Sequence, residues 1–418
     1  MPTAVYSLEI DWSGAGDFSA TGADVTARVK ELSYSRGRDF ASQLTGRANA
    51  GDLVVMLNNQ SGDYNSFNTA SPIYGNLLPG RAVRLRTTSP AAYTLWYGFL
   101  DRIEPQVVMG GAHVAVLYAV GPLAMVNQKK INVAMQTSYL TGTAIGKVLD
   151  DAGWSASLRT LDTGQTTMTR WFTSDLDGIS ALRDIEESEA GYVGESSDGK
   201  VVFEDRHHRL KSPHTTSQAT WSDAAGASIP YHEIAQRDPL QQIFNFVEAT
   251  IQLYTVESIA VLWTLAESGA SSPSIPAGVI QDYWAGYPNP GSANSGVAVD
   301  AWTTPAQTTD VVANSSADGS GADMTGNIAI TVTKFSNAMK ISLQNQHPST
   351  TAYITLLQAR GTAVIASDPV KLVKESSASE TAYGKRTYPV PGRFIPSTNV
   401  GNDYVGFILS IYKDPIPV

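Results

Sequence analysis

A mainly β chain with a small α+β insert is what this sequence predicts, and three observations predict it. Charged residues make up only 16% of the 418, well under the usual quarter, and Ser, Thr, Asn, Gly and Ala take their place. Apolar residues alternate with polar ones towards both ends, between Gly- and Pro-rich turns. Near Asn127 that period of two gives way to helical spacing. Hydrophobic residues reach 42%, enough for real cores, and the length calls for two to four domains.

Residues 1–126 are expected to form a first β-barrel. Val83 and Leu85 face one way, Arg84 and Arg86 the other. Tyr93, Leu95, Tyr97 and Phe99 line one face of the next strand, and Val114, Val116, Tyr118 and Val120 line another after the Gly110-Gly111 turn. Inside this region lies NNQSGDYNSFNTASPIYGNLLPGR, from Asn58 to Arg81, with one acid and one base in it. So long a loop in a compact domain is usually functional or disordered. An enzyme lid would present acids, bases or a nucleophile, whereas a docking loop needs shape and hydrogen bonds.

Residues 127–221 read as an α+β domain with two helices and a hairpin. TGTAIGKVLDDAGW offers Thr141 or Thr143 as N-cap, Ile145, Val148, Leu149 and Ala152 as an apolar stripe, and Gly153 as a stop. SDLDGISALRDIEESEAG starts like a capping box at Ser174 and Asp177, repeats Leu176, Ile179, Leu182 and Ile185 at helical spacing, and ends at Gly191. Asp198-Gly199 marks the turn of the hairpin that follows. Residues 222–395 return to strand character as a second β-barrel with a long irregular insertion between Leu265 and Gly326, and 396–418 form a C-terminal strand or helix segment.

No catalytic site is expected, and no metal or cofactor. The chain has no cysteine, which removes disulfides, thiol nucleophiles and thiolate metal sites. GTAIGKV at Gly142–Val148 has three residues between its glycines instead of four and Val148 where a P-loop needs a hydroxyl, so it reads as a helix start. His207, His208, His214 and His232 cluster in sequence, but neighbours on a strand point to opposite faces. Asp318 and Asp323 lack the spacing of a calcium loop and read as turn residues. Glu186, Glu187, Glu189 and Glu195 could supply a glycosidase pair, but the first three are expected on the exposed face of their helix, which favours a solvated surface. The N-terminus has no signal-peptide pattern and no apolar run reaches bilayer length, so a soluble protein is expected. A net charge of −10 argues against a grip on nucleic acid.

Read in order, the chain resembles the tail hub (minor tail or baseplate hub) proteins of long-tailed bacteriophages. The matching runs are YSRGRDF at Tyr34–Phe40, GRANAGDLVVMLNN at Gly46–Asn59, the loop with Ser71-Pro72 and Pro79-Gly80-Arg81, and YGFLDRIEP at Tyr97–Pro105. GKVLDDAGW, RTLDTG, ALRDIEESEAGYVGESSDGKVVFEDRHHR, LLQARGTAV and SETAYGKRTYPVP continue it. Many relatives run beyond the equivalent of SIYKDPIPV, so a short member or trimmed chain is expected.

The resemblance implies a non-enzymatic structural role without cofactors: two tail-tube-like barrels per chain, and a homotrimer whose six barrels adapt a sixfold tube to a threefold tip and line the DNA channel. It implies distal tail or tail tube ring proteins, tail fibre or spike proteins and the tape measure protein as partners, with DNA passing unbound during ejection. The location implied is the tail tip of the virion, after assembly in the host cytoplasm, with residues 396–418 leading to the tip side. The loop then becomes a joint to a neighbouring subunit or ring, through Tyr64, Asn65, Phe67, Pro72, Tyr74, Pro79 and Arg81. Its length exceeds what a hairpin needs, so it is expected to be dispensable for folding. Arg36, Gly37, Arg38, Tyr383, Gly384 and Arg386 are further positions of the resemblance. Two alternatives stay open: a tail-associated cell-wall hydrolase, or a carbohydrate-binding adhesin stacking sugars on Tyr283, Trp284, Tyr287 and Trp302.

Overall fold

The computed structural model describes residues 4–37, 47–89, 91–106, 113–222, 242–265, 267, 269–288 and 296–415. Arg38, the Gly110-Gly111 turn and His232 lie outside the described residues.

The first unit is one curled antiparallel sheet. Its strands are β1 (Val5–Ile10), β2 (Val29–Gly37), β3 (Asn49–Asn58), β4 (Ala82–Ser89), β5 (Tyr93–Gln106) and β6 (Val114–Val120), in the order β1-β4-β5-β6-β3-β2. Leu8, Ile10, Leu53, Val55, Leu57, Val83, Leu85, Trp96, Leu117 and Ala119 fill its concave side. The end strands β1 and β2 do not pair with each other. The free edge of β1 bonds the approach to β2 instead, Ile10 N–H donating to Ala23 and Val25 N–H to Leu8. The sheet is therefore a half-barrel among the described residues.

One expected face is broken by a register shift, and another looks away from the core. The pairing of β4 with β5 slips between Leu85 and Arg86, so Trp96 and Leu100 enter the core. Tyr97 and Phe99 lie outside it and meet Trp154 of the next unit in a chain of edge-on rings. On β6 the core takes Ala115, Leu117 and Ala119, opposite in parity to the valines. Arg84 and Arg86 do face away from the core, and both pair with Glu9.

The middle unit begins with α1 (Pro122–Asn127), whose Leu123 and Val126 already belong to its core. β7 (Lys130–Leu140) leads into α2 (Thr141–Asp151), then β8 (Arg159–Leu161) and β9 (Thr167–Asp177), then α3 (Gly178–Glu189), β10 (Tyr192–Glu195) and β11 (Val201–Glu204). β7 pairs with β9, while β10 and β11 form the hairpin and β8 lies parallel to β11. Ile145, Val148, Leu149 and Ala152 are buried as a stripe, and Gly153 adopts φ +73° after the helix. Neither Thr141 nor Thr143 caps α2; extended Leu140 occupies that place. Asp177 caps α3 by accepting from Ser180 N–H at 2.9 Å, and Ser174 sits in β9. Leu182 and Ile185 are fully buried beside Val193 and Phe203 of the hairpin. Leu182→Ala is expected to destabilise this unit by about 2–5 kcal/mol, and Glu187→Ala by less than about 1 kcal/mol, in chemical unfolding.

Residues expected as one second barrel divide into two bodies. β12 (Phe246–Ile251) opens the region, and the strands β13 (Tyr254–Thr264), β14 (Ser274–Ile275), β15 (Ile280–Gly286), β16 (Ala298–Trp302), β17 (Val311–Asn314), β18 (Ile328–Lys334), β19 (Ala338–Asn345) and β20 (Ala352–Ala366) follow it. These last eight form a sandwich. One sheet gathers β13, β14, β16 and β17 around β20; the other runs β15-β19-β18. Leu262, Val299, Trp302, Ile341, Leu343 and Ile354 lie in its core. The stretch read as irregular supplies four of its strands. Then come β21 (Val370–Glu375), α4 (Ser377–Tyr383), β22 (Thr387–Gly392) and α5 (Thr398–Tyr412). β12 pairs antiparallel with β21 and parallel with β22, and Tyr404, Val405 and Ile408 of α5 pack onto that small sheet. The C-terminal segment is thus a helix folded back onto its own unit. Among the described residues no helix is long and apolar enough to cross a membrane.

Candidate functional site

The loop between β3 and β4 holds no helix or strand, yet its backbone is locked. N–H groups of Gly62, Asn65, Asn68, Ser71 and Tyr74 donate to the carbonyls of Asn59, Gly62, Asn65, Asn68 and Ser71, so one turn hands over to the next every three residues. The side chains at the handover points reinforce this. Asn59, Asn65, Asn68 and Ser71 accept from the N–H of Tyr64, Phe67, Ala70 and Ile73 at 3.0–3.2 Å. Asn59 N–H bonds His113 at one end and Gly80 N–H bonds Leu100 at the other. Arg28 reaches Asp63 at 2.7 Å.

The length has a topological reason that the sequence reading missed. β3 and β4 are not neighbours; β6 and β5 stand between them. The chain must cross three inter-strand steps, roughly 14 Å, and it closes the end of the half-barrel on the way. Tyr64 and Ile73 point inward and join the core, where Tyr64 meets Trp12 with ring centroids 6.2 Å apart. Burial pushes the Tyr64 hydroxyl up to about 12. Tyr64 thus lies in the core of the first unit, and with Ile73 it ties the loop to that core. Phe67 is 89% exposed, Tyr74 50% and Leu78 49%. Asn65, Pro72 and Pro79 are exposed beside them. Arg81 is turned inward, its guanidinium against Gly14, where a Cβ would collide with it.

Of the other motif positions, Arg36 is exposed at the end of β2 and Gly37 adopts φ +87°. Tyr383, Gly384 and Arg386 form a turn around Asn245, a fully buried residue that sequence reasoning overlooked. Its Nδ2 donates to the Gly384 carbonyl at 2.8 Å and its Oδ1 accepts from Arg386 N–H at 2.7 Å. Gly384 has φ +76°, and the turn sets β22 parallel to β12.

The glutamates are the largest departure from expectation. Glu189 is fully buried and accepts from Thr141 Oγ1 and Thr166 N–H at 2.8 Å, from Gln165 N–H at 3.1 Å and from Arg206 at 3.2 Å. Glu186 is buried against Arg183 at 2.5 Å and Val193 N–H at 2.7 Å. Glu195 accepts from Gly51 N–H of β3 at 2.8 Å and Leu123 N–H of α1 at 2.6 Å, so it joins the hairpin to the first sheet. Burial raises its carboxyl above the usual range despite both donors. A Cβ at Gly51 or Gly121 would meet this carboxylate within 2.9 Å, which explains both glycines. Glu187 alone stays partly exposed, paired with Arg47. Glu186, Glu189 and Glu195 are structural clamps, each satisfied by fixed donors.

Elsewhere the residues weighed for chemistry serve turns. Asp318 is held at about 2 by the hydroxyls of Ser320 and Ser316, while Asp323 accepts separately from Thr325 N–H. Gly142 lies within α2, packed on the Asp162 carbonyl. His208 bonds Asp162 at 2.7 Å, and its ring lies 4.7 Å from that of His214, a pairing that strand parity does not anticipate. His207 packs instead beside Phe407. No group of three or more His, Asp or Glu able to hold a metal occurs among the described residues. Tyr287 and Trp302 are buried in the sandwich and Tyr283 half-buried against its core, leaving only Trp284 exposed of the four stacking candidates.

No family model and no curated protein matches the chain. Among solved structures it is similar to the 43 kDa tail protein of prophage MuSo2 from Shewanella oneidensis, at 12% identity over 59% of this chain and 64% of that one, with a TM-score of 0.36. A tail protein from Neisseria meningitidis MC58 aligns at 10% identity over 59% and 65%, TM-score 0.36. A component of the type VI secretion system of E. coli aligns at 10% identity over 84% and 76%, TM-score 0.30. The chain spans less than two thirds of the length of either tail protein. These are partial likenesses.

Proposed function

We propose that this chain is a non-enzymatic tail hub component of a bacteriophage. The motif order along the sequence supports the reading. The half-barrel of β1–β6 and the small sheet of β12, β21 and β22 with α5 stand as its two tube-like elements. One observation carries the interface role: Phe67, Tyr74 and Leu78 are exposed on a loop already locked by its own hydrogen bonds. A rigid loop bearing large apolar side chains loses little entropy on docking, which is what a joint between rings needs.

In this reading three copies form the ring, matching a sixfold tube at one face and a threefold fibre or spike at the other. The tape measure protein and DNA pass through its channel, and a net charge of −10 lets duplex slide without adhering. Its place is the tail tip of the virion. Native mass spectrometry or particle averaging of isolated tail tips is expected to count three copies. One copy, or six, would overturn the trimer.

A further inference from the structure

The sandwich is an insertion in another unit. Ile251 of β12 pairs with Val370 of β21, and these strands would form a plain hairpin if 254–366 were absent. Entry and exit run side by side, Ser367 N–H donating to Leu253 at 2.9 Å. The inserted body has its own core and is braced on the middle unit by Arg170 and Asp300 at 2.9 Å. An element the host sheet does not need for its own pairing is free to carry a task of its own.

Its outer face has the chemistry of a binding platform. In the sheet β15-β19-β18, Tyr283, Ala285, Met339, Ile341 and Leu343 face the core, so alternate positions face solvent. Trp284 lies opposite Lys340, and Asp282 lies opposite Ser342 and, beyond it, Thr331. Phe335 follows on the same side, and Trp284 stacks on it with ring centroids 5.7 Å apart and planes tilted by 25°. Trp284 is 58% exposed, while Gly286 has open space beside it. Asp282 binds Lys340 at 2.8 Å and Ser342 at 2.5 Å.

We infer that this face binds a neutral polysaccharide. A pyranose ring offers an apolar C–H face to the indole and hydroxyls to its surroundings, and here the aromatic pair is bordered by a carboxylate, an ammonium and hydroxyls that both donate and accept. Asp282 and Lys340 cancel, so the platform favours no net charge on the ligand. An anionic polymer finds the Lys340 ammonium already paired with Asp282 and meets a chain of net charge −10. A protein partner would need an apolar centre larger than two rings amid polar neighbours. The site is separate from the docking loop, and binding to the free chain is independent of tail assembly.

The test uses the full chain against an array of neutral glucans, mannans, galactans and N-acetylhexosamine oligomers, with an anionic polysaccharide beside them. Saturable binding of at least one neutral glycan, with quenched tryptophan emission, is expected. Trp284→Ala should weaken it at least tenfold with the unfolding midpoint unchanged, because the exposed indole adds little to the core. Asp282→Asn should weaken it less while leaving the stacking contribution in place. No glycan bound, binding indifferent to Trp284→Ala, or binding confined to the anionic polymer and abolished by salt would overturn the inference.

Discussion

Replacing Glu189 with Ala is expected to cost the middle unit about 3–5 kcal/mol, the range for breaking a buried ion pair from one side. The carboxylate is fully buried and receives donors from three places: Thr141 at the start of α2, the 165–166 turn before β9, and Arg206 after β11. Truncation leaves the Thr166 N–H facing a void and the Arg206 guanidinium without its counter-charge, and a buried donor without an acceptor bears its full desolvation cost. The comparison is Glu187→Ala, two residues earlier on the same helix, where a partly exposed pair with Arg47 is worth little. Hydrogen exchange across 141–206 separates them, with protection collapsing in the first variant and persisting in the second. A loss below about 1 kcal/mol for Glu189→Ala would mean that water replaces the carboxylate and that it is no clamp.

That contrast shows where the sequence is readable. Helical spacing of Leu182 and Ile185 locates the buried face of α3, because apolar burial is a local periodic signal. It cannot reveal that Glu186 and Glu189 are buried too. Apart from Arg183 one turn earlier, their partners lie elsewhere in the chain, at Val193, Thr141, Thr166 and Arg206, and only the closed tertiary structure brings them together. Gly199 at φ +83° was legible because Asp-Gly encodes its own turn. The slip at Leu85–Arg86 was not, since a single extra residue in β5 reverses which side chains face the core. The sandwich stayed hidden for a related reason: β14, β16 and β17 are two to five residues long, too short for alternation to stand out. Asn245 gives no local signal at all, because its partners Gly384 and Arg386 are far along the chain.

The loop of residues 58–81 separates two roles that its sequence mixes, and paired substitutions should divide them. Tyr64→Ala is expected to destabilise the first unit by about 3–5 kcal/mol, since it empties a site beside Trp12 in the core. Phe67→Asp with Tyr74→Asp is expected to leave stability within about 0.5 kcal/mol, because Phe67 is almost wholly and Tyr74 half in water. The turn handovers also remain, as the N–H of Phe67 and Tyr74 do the bonding whatever their side chains. If the loop docks on a neighbouring subunit or ring, two carboxylates then meet an apolar surface without partners, and each exceeds the roughly 2 kcal/mol loss of a hot-spot residue. Incorporation into tails should fall by at least a hundredfold, since each 1.4 kcal/mol is a factor of ten. Infectious titre and the copy number in purified tails both read this. A double variant that folds, enters tails at the normal level and gives normal titres would show that the apolar tip of the loop touches nothing, and the docking reading would be wrong. Restoring Phe67 alone should recover the larger part of the loss, because at 89% exposure it offers the most area to a partner.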